Sequence, residues 1–149
     1  MLTDNIRPLY LIPSNDGVLK FFDSSRSKTL SVSRETLSFG INHRDISGKR
    51  WMNMTGKVNS LATGYKILRD ATITSITVQT QNIITEARFN IRVNGVDTNL
   101  HTSTISSAKG IIEDNLNYDI NKGDYLQLFM SVLIGNVDFP IVMIEIAWR

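Results

Sequence analysis

The two apolar runs that close the chain, residues 125–132 and 141–148, constrain the fold more than any other stretch, because both alternate at period two and neither has a polar face. Leu126, Leu128, Met130 and Val132 share one side of an extended backbone, as do Val142, Ile144, Ile146 and Trp148, since successive strand side chains point to opposite faces. Those sides specify a sheet over a core. The reverse sides carry Tyr125 and Phe129 in the first run and Ile141 and Met143 in the second, where a solvated sheet would present charge. A second cover is therefore required. No long window has a helical period that would supply it, so the expected cover is another copy of the chain, packed on Tyr125, Phe129, Ile141, Met143 and the terminal aromatic Trp148.

Turn chemistry divides the remainder into short strands. Phe89, Ile91 and Val93 alternate cleanly with Arg88, Asn90 and Arg92, and Asn94-Gly95 then reads as a hairpin turn. Asn15-Asp16-Gly17 reads as an earlier one, because Gly supplies the positive φ that such turns need. Between residues 71 and 80 the step from Ile73 to Ile76 is odd while that from Ile76 to Val78 is even. A bulge at Thr74 or Ser75 would bring all three to one face. These signals predict an all-β chain, an antiparallel β-sandwich or jelly roll over residues 36–149. Residues 1–35 are less apolar and read equally as the first strands of that domain or as an extended arm. On the second reading Phe21, Phe22, Arg26, Lys28 and Arg34 are its attachment residues.

Composition removes whole classes of function. The chain of 149 residues has no cysteine, so disulfides, thiolate metal centres and cysteine nucleophiles are excluded together. Sixteen Lys and Arg against 14 Asp and Glu leave a net charge of +2, too little to demand a nucleic acid or an anionic membrane. The opening Met-Leu-Thr-Asp-Asn lacks a basic n-region and an apolar core. No run approaches the roughly 18–20 apolar residues of a membrane span, so the expectation is a soluble product, not processed by Sec and not inserted in a membrane. His43 and His101 lack carboxylates at ligand spacing, and Glu113, Asp114, Asp119 and Asp124 do not follow a calcium-loop pattern. Nucleophile-elbow and phosphate-cradle motifs are missing. Arg44, Lys49 and Arg50 beside Trp51 are a combination that single-strand binders use, but a solvated strand start has the same composition. No enzymatic activity, cofactor or metal is expected.

Four groups of residues resemble a set of small bacteriophage virion proteins: Lys20-Phe21-Phe22-Asp23-Ser24-Ser25-Arg26 with Leu30-Ser31-Val32; Gly64-Tyr65-Lys66-Ile67; Val93-Asn94-Gly95; and Lys122-Gly123-Asp124-Tyr125-Leu126 with Ile146-Ala147-Trp148-Arg149. The second half is similar to the jelly roll of the globular heads of C1q and tumour necrosis factor and of spore-surface filament tips. The resemblance implies a C1q/TNF-like homotrimer with its inner sheets on a common axis. It further implies docking on other virion proteins, as a collar, head fibre, decoration or tail-fibre adaptor, in a virion assembled in the host cytoplasm. The alternative is a host-recognition module that binds surface glycan through Trp51, Tyr65 or exposed Asn and Asp side chains at loop tips. Neither reading needs a metal, so the melting temperature should be the same with and without EDTA. A drop of several degrees in the chelator would instead assign Asp119 and Asp124 to an ion site.

Overall fold

The computed structural model describes residues 11–12, 18–54, 60–83, 86–106 and 110–149. The strands in chain order are β1 (Leu11–Ile12), β2 (Lys20–Asp23), β3 (Lys28–Ser31), β4 (Arg34–Gly40), β5 (Lys49–Met54), β6 (Tyr65–Lys66), β7 (Ala71–Gln79) and β8 (Asn82–Ile83). They continue as β9 (Glu86–Val93), β10 (Val96–Ile105), β11 (Ile111–Glu113), β12 (Tyr118–Ile120), β13 (Tyr125–Ile134), β14 (Val137–Asp138) and β15 (Ile141–Trp148). No helix occurs among the described residues.

The two terminal apolar runs become central strands of different sheets. β13 lies between β9 and β5 in the order β10-β9-β13-β5, with β6 also paired to it; β15 lies between β4 and β7 in the order β4-β15-β7-β11, with β12 also on β7. Every pairing is antiparallel. The two sheets join in one curled structure through Phe39↔Met54 and Gly40↔Asn53 between β4 and β5. Because β7, β9, β11, β13 and β15 fall alternately in one sheet and the other, the chain crosses repeatedly between them, as a jelly roll requires. The fold is an all-β antiparallel sandwich. Phe89, Ile91, Leu126, Leu128 and Met130 from the β13 sheet meet Ile73, Ile76, Val142, Ile144 and Ile146 from the β15 sheet in one buried cluster.

Local signals account for the details. Glu145 pairs with Ser75 and Ile146 with Ile73, so Thr74 is the extra residue of a bulge and Ile73, Ile76 and Val78 all turn inward. Asn94 (φ 54) and Gly95 (φ 80) form the tight turn between β9 and β10, both in the left-handed region that such hairpins need. The turn is tied to β13: Tyr125 N donates to Asn94 Oδ1 at 3.0 Å and Gly95 N donates to Gln127 Oε1 at 2.9 Å. The Asn15-Asp16-Gly17 turn lies outside the described residues, although β1 and β2 on either side of it pair antiparallel.

Part of the required second cover comes from the chain itself. Ala147 and Thr72 are register partners on the outer face of the β15 sheet, yet neither is exposed. Leu30 and Ser31 of β3 are equally buried, and Leu30 stands apart from the main core cluster. The β2–β3 hairpin therefore lies across this end of the outer face, where no second copy is needed. On the other sheet, residues 60–64 fold over the outward-pointing Gln127, whose Nε2 donates to Ser60 O and, at 3.0 Å, to Thr63 O. That approach is possible because residue 64 is glycine: a Cβ there would lie 2.5 Å from Leu126 O and 2.6 Å from Gln127 Cγ. Gly64→Ala should cost about 1–3 kcal/mol through overpacking, read as a lower urea midpoint at unchanged slope. An unchanged midpoint would show that the loop moves aside freely.

Candidate interaction surfaces

The hairpin presents its basic residues inward. Arg26 pairs with Asp23 at 2.8 Å and donates to three carbonyls, Leu116 O (2.7 Å), Asp114 O (2.9 Å) and Thr74 O (3.3 Å). Lys28 meets Asp119 at 2.6 Å, while Arg34 lies 3.6 Å from Glu145, donates to Ser31 O and sits over the Phe21 ring at 5.5 Å. Of the five arm residues singled out in the sequence, Phe22 is the one presented to solvent. Asp119 is the hub of this contact, accepting also from Thr72 Oγ1 at 2.8 Å and Arg149 Nη1 at 3.2 Å. Burial pushes its carboxyl upward, but the hydrogen bonds from Lys28 and Thr72 and the charges of Arg149 and Lys28 outweigh this and hold it below the usual carboxylate value.

Beyond the hairpin the outer face of the β15 sheet is open and carries exposed apolar side chains among polar ones. Register places Ile112, Thr77, Met143 and Ser38 in one row across β11, β7, β15 and β4. Ile112 is 74%, Ile141 52% and Met143 42% exposed. A cavity of ≈ 490 Å³, lined by Ile41, Met54, Phe139 and Pro140 among others, opens beside Ile141. Ile112 was missed in the sequence, although its odd parity from the inward Ile111 was the signal.

The outer face of the β13 sheet is different in kind. Trp51, Phe129 and Asn90 form one row across β5, β13 and β9, and Lys49, Ser131 and Arg88 form the next. Trp51 and Phe129 make an edge-to-face pair, 4.8 Å between centroids at 69°. The Arg92 guanidinium lies 4.2 Å from the Phe129 ring centre and 5.0 Å from that of Trp51, and is paired with Asp97. Tyr125 is half-buried and donates from its hydroxyl to Leu61 O at 3.4 Å. Of the five predicted interface residues, the structure thus puts Tyr125 and Phe129 on one sheet and Ile141 and Met143 on the other, while Trp148 packs against the core. Arg88, Asn90 and Arg92 were not singled out, since alternation gives their face but not their neighbours.

The remaining candidates disperse. Tyr65 also packs against the core, its hydroxyl donating to Glu35 Oε1 at 2.7 Å; burial first, then Glu35, pushes it up to about 12. It does not join Trp51. His43 is exposed with its ring nitrogen on Arg44 O, and His101 is in β10. Asp124 accepts from Asn94 Nδ2 and Asn121 N, both at 2.8 Å. Among the described residues no three His, Asp or Glu side chains converge on a point that could hold a metal.

No family model matches the chain. No curated protein matches it either. Among solved structures it is similar to the PRD1 vertex protein P5, a phage protein, at 12% identity and a TM-score of 0.51, over 92% of this chain and 84% of that one. The likeness is one of fold.

The Asp119 hub makes the hairpin contact acid-sensitive. A carboxyl held below its ordinary 3.8 stabilises the contact above that value and loses the effect as pH falls through its lowered value. Asp119→Asn should mimic this at neutral pH, weakening the docking by about 1 kcal/mol or less, as partly exposed ion pairs do. Faster amide exchange in β3, with β13 and β15 unchanged, is the expected readout; equal acceleration everywhere would show that hairpin and core open together.

Proposed function

We propose that this chain is a structural subunit of a bacteriophage particle that self-associates as a homotrimer and docks on other virion proteins, as a collar, head-fibre, decoration or tail-fibre-adaptor component. The observation that carries the reading is a jelly-roll fold, matched along most of its length to a phage vertex protein, with Ile112, Ile141 and Met143 exposed on the outer face of the β15 sheet. Assembly in the host cytoplasm and residence in the virion follow from the role.

The trimer is argued from the exposed side chains. Burying a large apolar side chain contributes roughly 1.5–3 kcal/mol, and Ile112, Ile141 and Met143 stand on one face, all exposed. A cyclic trimer uses two different patches of each subunit, because its contacts are heterologous. The β15 face meets a neighbour around the axis, and the β13 sheet, with Phe129 under Arg92, faces away from it.

Light scattering at micromolar concentration should give three times the chain mass. Met143→Asp should dissociate the assembly, since an unpaired carboxylate would be driven into a dry contact, whereas Phe129→Asp should leave the mass unchanged. A wild-type monomer, or the reverse response of the two variants, would overturn the arrangement.

A further inference from the structure

We infer that the outer face of the β13 sheet is a binding site for an anionic saccharide. Two rows of side chains carry it. In the first, Lys49 and Arg88 flank Ser131, two strand spacings or about 10 Å apart. Both are exposed, and neither meets a carboxylate among the described residues. The second row, about 7 Å further along the strands, holds Trp51, Phe129 and Asn90. Asn90 is half-buried and its Oδ1, itself buried, has no donor among the described residues.

Ring geometry selects the ligand. Bases of a single strand stack flat on aromatic faces, whereas Trp51 and Phe129 meet edge to face at 69°. The pair makes an apolar corner instead of a platform. A puckered sugar ring packs its C–H groups against the part of this half-exposed corner that Arg92 leaves open, while its carboxylate or sulfate reaches Lys49 and Arg88. Arg92, neutralised by Asp97, positions the two rings. The site does not depend on the virion assignment, and it replaces the loop-tip set of the sequence reading, keeping Trp51 and leaving Tyr65 out.

Calorimetric titration of the full chain with an oligogalacturonate and with dextran sulfate tests the carboxylate and sulfate sources of charge. At least one should bind, weakening as salt is raised, while maltohexaose does not. Lys49→Glu with Arg88→Glu, at exposed positions that leave the core intact, should weaken binding by tenfold or more. Trp51→Ala should weaken it at least fivefold with the circular dichroism unchanged, and Trp51→Tyr should restore part of the loss. The inference fails if neither anionic saccharide binds, if the aromatic variants bind like wild type so that charge alone is at work, or if an oligothymidylate of equal charge binds as tightly.

Discussion

A strand that is apolar on both faces needs two layers of cover, and the chain supplies β15 with one layer and part of the second. Val142, Ile144 and Ile146 turn into the core shared with the β13 sheet, and Ala147 is closed off beneath β3. Of the other outward positions, Glu145 meets Arg34 and Thr74, and Ile141 and Met143 stay exposed. Since among the described residues the sheets share two residue pairs between β4 and β5, their attachment rests on apolar side chains from both sides. The hydrophobic contribution is non-directional, so the orientation of the sheets is set by strand crossovers and turns.

Polar groups decide where loops and the hairpin settle. Gln127 is fully buried on an outward position, and this is tolerable because its amide donates to two carbonyls of residues 60–64 and accepts from Gly95 N. Arg26 does the same for the hairpin, spending its guanidinium on Asp23 and three backbone carbonyls. In both cases a polar side chain, buried in Gln127 and partly buried in Arg26, supplies a specific docking position that apolar contact alone leaves open.

Much of this was legible in the sequence. The inward sets of β13 and β15, the bulge at Thr74 and the Asn94-Gly95 turn each depend on neighbours a few residues apart, so parity and turn chemistry suffice. What parity cannot supply is the partner of a strand. It assigned Phe129 and Met143 to second faces but not to different sheets, and it could not bring Arg92 over Phe129, a consequence of cross-strand register. The hairpin contact was hidden for the same reason: Arg26 Nε finds its acceptor at Leu116, 90 positions away.

The close backbone approach at Gly64 has a consequence for how such a chain can drift. A core held by apolar volume accepts many alternative side chains, which is compatible with a shared fold at 12% identity to the vertex protein. Gly64, with no room for a Cβ beside Leu126 O, and the Asn94-Gly95 turn, with both residues at positive φ, accept few. Over long divergence the memory of the fold would then reside in its thinnest places, where backbone meets backbone, while the massive interior is rewritten.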